Sequence, residues 1–208
     1  MGKRWQRERK HEHFYRMAKR AGYRSRSAYK LKQLDGRYKL LRPGNVVVDL
    51  GAAPGGWLQV ARERVGSGGF VIGVDLQPIE KMPYENVDTI VADITDPDTW
   101  ECIRDNLPKP ASVVISDASP KISGIWDVDH AKSVELAKAS LNLSSKILRP
   151  GGRMLIKVFQ GELFDDFVGD VQRKFSFVKV SKPKASRKRS AEAYIIAKKF
   201  KGTVRPNL

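Results

Sequence analysis

The chain has 208 residues, and its 39 Lys and Arg against 23 Asp and Glu give a formal net charge of +16. This length predicts one domain with enough chain for a core on both faces of a sheet. No apolar run approaches the ~20 residues of a membrane-spanning helix, and the basic N-terminus lacks an apolar secretion signal. The single cysteine, Cys102, cannot form an internal disulfide. We therefore expect a cytoplasmic protein without a membrane role.

The positive charge is concentrated at the two ends of the chain. Residues 1–42 hold 15 Lys or Arg against 3 Asp or Glu, and residues 179–208 hold 10 against 1. Residues 43–178 hold 14 against 19, so the body is mildly acidic. Basic segments of this kind are typical of proteins that bind a polyanion, although solubility or an unfolded basic tail would give the same pattern. We divide the chain into a basic arm, residues 1–24, and one domain, residues 25–208.

In chain order, the sequence predicts a first helix at residues 25–40 and then alternating strands and helices. This alternation favours a mainly parallel sheet with helices on both faces. The last two strands are joined only by a basic loop, so we expect an antiparallel hairpin at the sheet edge. The predicted fold class is α/β, Rossmann-like, with seven strands. The predicted strands are Asn45–Leu50, Gly69–Leu76, Val87–Ala92, Ser112–Asp117, Arg153–Phe159, Phe177–Ser181 and Ala193–Lys199, and the later helices are Trp57–Arg64, Asp98–Asn106, Val128–Leu148 and Leu163–Lys174.

The first strand leads into a loop that is typical of a site for a nucleotide-like ligand. Strand, glycine loop and helix let backbone N–H groups approach a ligand closely. The loop lacks both the glycine spacing of dinucleotide binders and the Gly-Lys-Ser/Thr of phosphate loops. An acid followed by small residues suits a ligand with a cationic amino-acid end, such as S-adenosylmethionine, and the alternative is an ordinary tight turn. The candidate ligand residues here are Asp49, Gly51, Gly55, Gly56 and Trp57.

Three later strands also end in a carboxylate. Because the carboxyl ends of parallel strands lie at one rim of the sheet, where ligands bind, these acids are expected near the glycine loop. Asp75 is expected to bind the ribose hydroxyls of an adenosine, Asp93 to reach the adenine amino group and Asp117 to lie beside a methyl donor. A single acid of this kind is often only a helix cap. A metal site is not expected, because the three histidines show no ligand spacing with the acids.

Two lysines and one acid elsewhere in the chain stand out. Lys157 lies inside an apolar strand, where an ammonium costs several kcal/mol unless it is paired or exposed at a site. The alternative is a lysine of an edge strand that extends to water. Glu192 is the only acid within residues 179–208, and Lys30 lies on the first predicted helix.

Five motifs contain these residues: Arg-Ser-Arg-Ser-Ala-Tyr-Lys30-Leu, Asp49-Leu-Gly-Ala-Ala-Pro-Gly-Gly-Trp57, Ser-Asp117-Ala-Ser-Pro, Lys157-Val-Phe-Gln-Gly-Glu and Arg-Ser-Ala-Glu192-Ala-Tyr. In order and spacing they resemble the FtsJ (RrmJ) family of ribosomal-RNA 2′-O-ribose methyltransferases. The resemblance extends from about Tyr15 to Phe200. Bacterial members read Asp-Met-Ala-Pro in the third motif, a difference that preserves the acid and the proline.

The resemblance implies a class I methyltransferase fold with S-adenosylmethionine as cofactor. It implies a catalytic tetrad matched by Lys30, Asp117, Lys157 and Glu192, and a cofactor site matched by Gly55, Trp57, Asp75, Asp93 and Asp117. Lys157 would either accept the proton of a ribose 2′-hydroxyl or steer its lone pair. The implied substrate is a uridine of large-subunit (23S-type) rRNA, in the assembled 50S subunit, and the family is commonly monomeric.

The basic ends are then expected to flank the active site and hold RNA phosphates, while RNA shape and unstacked bases supply specificity. The candidate RNA-binding residues are Arg16, Arg20, Arg24, Arg26, Lys182, Lys184, Arg187, Lys188 and Arg189.

Three other functions fit parts of the sequence. The same chemistry on a tRNA anticodon loop or an mRNA cap would use the same tetrad. A non-catalytic RNA-binding protein of ribosome assembly would keep the fold without needing the tetrad. A small-molecule methyltransferase would need no basic ends, and its substrate binding would depend weakly on salt.

Overall fold

The structure, a computed structural model, describes residues 13–187 and 190–202. Seven strands form one sheet: β1 (Val46–Leu50), β2 (Phe70–Asp75), β3 (Val87–Val91), β4 (Ala111–Ser116), β5 (Leu148–Phe159), β6 (Phe175–Ser181) and β7 (Glu192–Phe200). Their order across the sheet is β3-β2-β1-β4-β5-β7-β6. The predicted α/β fold class with seven strands is confirmed.

Strands β1 to β5 are parallel, whereas β7 is antiparallel to both β5 and β6. The predicted antiparallel hairpin is therefore present: β7 lies between β5 and β6, and β6 forms the edge of the sheet. Strand β5 begins at Leu148 rather than at the predicted Arg153, because Leu148 pairs with Ala111 before the register shifts. The sequence predicts a helix that ends at Leu148, and only the pairing with Ala111 of β4 places Leu148 in the strand.

Six helices lie in the described part of the chain: α1 (residues 13–20), α2 (Ala28–Tyr38), α3 (Gly56–Val65), α4 (Thr99–Asp105), α5 (Trp126–Ile147) and α6 (Phe164–Lys174). Helices α2 and α3 pack on one face of the sheet through residues such as Leu31 and Leu58. Helices α4, α5 and α6 pack on the other through Ile103, Val134 and Phe167. Among the described residues, no helix has the length and apolar character needed to cross a membrane.

The chain reverses direction across the sheet at β1. From β1, the next strands run outward through β2 to β3, and the chain then returns to place β4 on the other side of β1. A reversal of this kind leaves a crevice beyond the carboxyl ends of the two strands, which is where α/β sheets bind ligands. Asp49 lies near the end of β1, and Asp117 directly follows β4. The topology therefore places the glycine loop and Asp117 at one crevice.

Residues 13–24, the described part of the predicted basic arm, contact the domain through two buried side chains. Ala18 is 2% exposed and Tyr23 is 9% exposed, and both belong to the core under α2 and α3. The hydroxyl of Tyr23 donates a hydrogen bond to Glu63 of α3 at 2.5 Å. The basic composition had favoured an arm, but these two apolar contacts bring the segment onto the domain. Residues 1–12 and 203–208 lie outside the described residues.

Replacement of Phe167 by alanine tests the core on the α6 face. Phe167 is fully buried, so Phe167→Ala should lower the free energy of unfolding by about 3–5 kcal/mol. The control is Tyr15→Ala, which removes a similar ring from a side chain that is 55% exposed and should change stability by less than about 0.5 kcal/mol. Urea denaturation measures both. Equal losses would contradict the packing described here.

Candidate active site

The four residues of the predicted tetrad meet at one point, although they come from four elements. Lys30 lies on α2, Asp117 follows β4, Lys157 lies on β5 and Glu192 begins β7. Side chains alternate along a strand, and Leu155 and Tyr194 belong to the core on the α2 side. Lys157 and Glu192, two positions away from these residues, therefore point to the face that carries Lys30.

Asp117 is the centre of this cluster. Its Oδ1 lies 3.2 Å from Nζ of Lys157 and 3.6 Å from Nζ of Lys30. Lys157 also donates a hydrogen bond to the backbone carbonyl of Asp117 at 2.7 Å, and Lys30 donates to Glu192 Oε2 at 3.1 Å. The side chains of Lys157 and Lys30 are only 3% and 7% exposed. Two buried cations and two acids thus form one paired network at the end of β4.

The environment keeps Asp117 ionised. Burial acts to raise the pKa of its carboxyl, but the charges of Lys157 and Lys30 and the hydrogen bond from Tyr194 outweigh burial and lower that pKa. The negative charge of Asp117 in turn offsets the burial of the two ammonium groups. The cluster is therefore arranged to hold lysine Nζ atoms in fixed positions beside the crevice.

Tyr194 is a further member of the site that sequence reasoning missed. Its hydroxyl donates a hydrogen bond to Asp117 Oδ1 at 2.7 Å, and Lys30 Nζ lies 5.6 Å from the centre of its ring. Burial raises the pKa of Tyr194 well above its usual range, as do the charges of Asp117 and Glu192, so it acts as a donor. The available signal was its position two residues after Glu192 on a strand, which places both side chains on one face.

The glycine loop has the backbone conformation that its sequence predicts. Gly51 and Gly55 have φ of +74° and +105°, in the left-handed region that favours glycine. A Cβ at Gly51 would lie 2.7 Å from Ala118, so the loop after β1 touches the loop that follows Asp117. Gly56 is the first residue of α3. The loop therefore brings its backbone against the same crevice as the tetrad.

Trp57 is a buried residue that packs next to the tetrad. It is 2% exposed, its indole N–H donates to the carbonyl of Ser27 at 2.9 Å, and its ring centre lies 6.2 Å from that of Tyr194. These contacts fix α3, α2 and β7 relative to one another. The prediction that Trp57 binds the cofactor stays a prediction, and its burial favours a positioning role.

Asp75 ends β2 and Asp93 follows β3, and their contacts with a cofactor stay predictions. Asp75 accepts hydrogen bonds from Ala53 N and Gln77 N, both at 2.9 Å, which join the end of β2 to the glycine loop. A carboxylate has about four lone-pair sites, so Asp75 keeps capacity for two hydroxyl groups. Asp93 is exposed and accepts bonds from Thr95, which lower the pKa of its carboxyl.

Asp49 is the electrostatically unbalanced residue of the crevice. It is 1% exposed, and neither carboxylate oxygen has a hydrogen-bond partner among the described residues. Burial raises the pKa of Asp49 well above its usual range, and the charges of Asp117 and Asp75 raise it further. A cationic ligand group beside the loop would relieve this arrangement, so the residues present fit the cationic amino-acid end of S-adenosylmethionine.

The predicted RNA-binding residues fall into different settings. Arg26 interacts with the charges of the tetrad residues Glu192 and Asp117, which raise the pKa of its guanidinium, but burial and the charge of Arg187 outweigh them and lower that pKa. The guanidinium of Arg24 instead donates to the backbone carbonyls of Pro54, Glu80 and Lys81. These bonds join Arg24 to the glycine loop and to the segment after β2, and its predicted contact with an RNA phosphate stays a prediction.

The remaining basic residues lie on α1 and on the loop between β6 and β7. The backbone N–H of Ala185 donates to Gln33 of α2 at 3.0 Å, which holds this loop near Lys30. The exposed members of the predicted RNA-binding set are Arg16, Arg20, Lys182, Lys184 and Arg187. Lys188 and Arg189 lie outside the described residues.

In the ranges that the structure describes, no three His, Cys, Asp or Glu side chains are grouped to hold a metal ion.

The unbalanced charge of Asp49 gives a pH-dependent prediction. A raised pKa in the folded state means that ionised Asp49 destabilises the protein, increasingly so as the pH rises from the ordinary Asp value through the raised one. Asp49→Asn removes the charge and with it this destabilisation. The variant should be more stable than the wild type at pH 7 by more than about 0.5 kcal/mol, and the difference should shrink as the pH falls towards 4. Denaturant unfolding at several pH values measures it.

Asp93→Asn is the matched control at the same rim. The pKa of Asp93 is lowered in the folded state, so its ionised form stabilises the protein above the ordinary Asp value, and this contribution disappears as the pH falls. Asp93→Asn should therefore be less stable than the wild type at pH 7, whereas Asp49→Asn should be more stable. The same sign for both variants would contradict the charge arrangement of the crevice.

Comparisons with known proteins agree with this geometry. Residues 23–200 match the FtsJ-like methyltransferase family model. The chain is 57% identical over 189 residues to the ribosomal RNA large subunit methyltransferase E of Methanothrix thermoacetophila, covering 91% of this chain and 72% of that protein. It is 50% identical over 202 residues to the protein of the same name in Methanothermobacter thermautotrophicus, covering 97% and 96%.

Solved structures agree as well. A Plasmodium falciparum protein described as a ribosomal RNA methyltransferase superposes with a TM-score of 0.76 at 28% identity, covering 86% of this chain and all of that one. Human methyltransferase-like protein 13, solved in complex with SAH, superposes with a TM-score of 0.56 at 14% identity, covering 85% and 83%, and shows the fold alone. On the family match and these identities, the chain belongs to the FtsJ-like methyltransferase family.

Proposed function

We propose that this protein transfers the methyl group of S-adenosylmethionine to the 2′-hydroxyl of a uridine in large-subunit rRNA, with the assembled 50S subunit as substrate. The observation that carries the proposal is the convergence of two buried lysines on Asp117 at the crevice between β1 and β4. The names of its relatives support the rRNA substrate, and membership of a methyltransferase family supports the methyl donor.

The two halves of the crevice suit the two reactants. The half formed by Asp49 and Asp75 is acidic and lies against the glycine loop, which suits the cationic end and the ribose of the cofactor. When bound, the cofactor supplies a methyl group already activated by a positive sulfur. The half formed by Lys30 and Lys157 suits the oxygen of an incoming hydroxyl. Asp117, which follows β4, lies between the two halves.

Alignment is the main task of the protein in such a transfer, since the methyl group is already activated. Lys157 Nζ is fixed by two contacts to Asp117, at 2.7 and 3.2 Å. A hydroxyl placed beside this nitrogen has two routes: it gives its proton to Lys157 when the side chain is a neutral amine, or it receives from the ammonium form a hydrogen bond that steers its lone pair. In both versions the oxygen gains the methyl group and loses one proton, which goes to Lys157 or to water.

Lys30 and Glu192 form the outer part of the tetrad. Lys30 forms an ion pair with Glu192 and faces Asp117, so it links β7 to α2. Arg26 lies nearby on the same segment. We propose that Lys30 and Arg26 hold the ribose or its phosphate, while Glu192 keeps Lys30 in place.

Lys157→Ala should lower kcat by about 10²–10⁴-fold, because it removes the group that accepts the proton or steers the oxygen. Its affinity for S-adenosylmethionine, measured by calorimetry, should be nearly unchanged. The control is Lys198→Ala, since Lys198 also lies on an inner strand but at the opposite rim, where it donates to the carbonyl of Tyr38. Loss of cofactor binding in Lys157→Ala would contradict the assigned role.

Lys157→Arg separates the two chemical versions. Arginine keeps hydrogen-bond donors but does not lose its proton in proteins. Residual turnover well above that of Lys157→Ala would assign steering to Lys157, whereas equal loss in both variants would assign proton transfer.

The substrate is tested by transfer of labelled methyl to unmethylated 50S subunits, free rRNA and bulk tRNA in parallel. We expect label in the large-subunit RNA at a step that resists alkaline cleavage, because a methylated 2′-hydroxyl cannot attack the adjacent phosphate. Label confined to tRNA would retain the chemistry and overturn the substrate. Cofactor binding without transfer to any RNA would favour a non-catalytic role in ribosome assembly.

A further inference from the structure

We infer that Trp126 is a stacking platform for an unpaired RNA base next to the methylated nucleotide, an inference that rests on the proposed function. Trp126 is 46% exposed at the start of α5. Around it lie other exposed apolar side chains, and an exposed patch of this kind marks a binding surface. The exposed large apolar residues of this region are Ile122, Ile125, Val128 and Leu163.

The platform is rigid. The Trp126 ring is stacked on His130 at 5.7 Å and 14°, and on Phe159 at 6.3 Å and 15°. His130 and Phe159 are 5% and 8% exposed, whereas Trp126 is 46% exposed, so the indole is supported by buried rings and keeps much of its surface accessible. A Cβ at Gly161 would lie 2.8 Å from three atoms of the His130 ring, so the glycine backbone covers the imidazole closely. A preorganised aromatic face loses little entropy on binding.

The loop before Trp126 is fixed as well. The buried carboxylate of Asp129 accepts hydrogen bonds from Ser123 N and Ser123 Oγ at 2.7 Å and from Gly124 N at 3.1 Å. These bonds lower the pKa of Asp129. Helix α5 begins at Trp126, two residues earlier than predicted. The hydrogen bonds to Asp129 fix the loop before it and thereby limit the movement of the indole.

The platform is continuous with the tetrad. Phe159 pairs with Glu192 across β5 and β7, and it lies two residues after Lys157 on the same strand. Two residues along a strand span about 7 Å, and opposite residues of an antiparallel pair are separated by about 5 Å. A base stacked on Trp126 would therefore lie within one or two nucleotides of a ribose at Lys157.

The exposed aromatic ring itself favours a base over a phosphate. The neighbouring exposed charges are mixed, since Asp127 and Glu162 are accompanied by Lys121 and Lys132, so they offset one another. Stacking needs only an aromatic face and tolerates any base. The platform would thus orient the target strand, while basic residues elsewhere attract its phosphates.

Trp126→Ala should raise the KM for 50S subunits by about 5- to 150-fold, the range expected for loss of one base–aromatic stack. Affinity for S-adenosylmethionine should be unchanged. Trp126→Phe should restore most of the loss, because phenylalanine keeps an aromatic face. The control is Tyr84→Ala, which removes a 42% exposed aromatic side chain before β3, at the far rim, and should leave the KM unchanged.

Salt provides a second readout. The fold-change caused by Trp126→Ala should be the same at 50 and 200 mM salt, since stacking is uncharged, whereas that caused by Lys184→Ala should shrink as salt rises. An unchanged KM on 50S subunits would overturn the proposal. A raised KM on 50S subunits together with an unchanged binding affinity for free rRNA would also overturn it, and would assign the patch to a protein partner.

A binding measurement keeps this inference separate from the proposed function. Single-stranded oligouridylate should quench tryptophan fluorescence of the wild type, and Trp126→Phe should lack that component of the quench. If the wild type methylates no RNA, the proposed function fails, but this quench still supports the platform. Absence of the quench would overturn the platform even if methyl transfer is found.

Discussion

The buried carboxylate of Asp117 is the interaction on which the site depends. It contacts Lys30 of α2, Lys157 of β5 and Tyr194 of β7, so one side chain links three elements that are far apart in sequence. An unpaired charge is expensive inside a protein, and removal of one partner from a buried pair destabilises it by several kcal/mol. Without Asp117, two ammonium groups would face each other in the core. The arrangement of α2 over the sheet edge therefore follows from the same contact that positions the reactive lysine.

The sheet topology explains why this contact lies beside the ligand loop. The reversal at β1 places the ends of β1 and β4 next to each other, so the acids that follow both strands share one crevice. Asp117 is balanced by lysines, whereas Asp49 is buried with no hydrogen-bond partner in the described part of the chain. One crevice thus has an acidic half and a balanced half. This asymmetry gives a cationic donor and a neutral hydroxyl different places to bind, and it supports the placement of the two reactants that we propose.

Local patterns were enough to predict the sheet, because the alternation of strand and helix and the acids at strand ends are visible in the sequence. The tetrad was found through the family resemblance, since Lys30 and Glu192 are separated by most of the chain and no periodicity connects them. Features that depend on tertiary contact were missed. Tyr194 reads as an ordinary strand residue until Asp117 is opposite it. Arg24 was interpreted as a phosphate ligand, and only the fold shows its guanidinium bonded to three backbone carbonyls.

The residues of the site explain why the ends of the chain are basic while its body is acidic. A cationic cofactor and two buried lysines need acids around them, so the body that holds them is acidic although the whole chain carries +16. The acidic half of the crevice repels RNA phosphates at short range. Long-range attraction of the polyanion must then come from the basic ends, which act over about a Debye length, while Lys30 and Arg26 make the charged contacts close to the reaction. A stacked base at Trp126 adds an uncharged contact, and it leaves the ribose as the part of the RNA that enters the crevice.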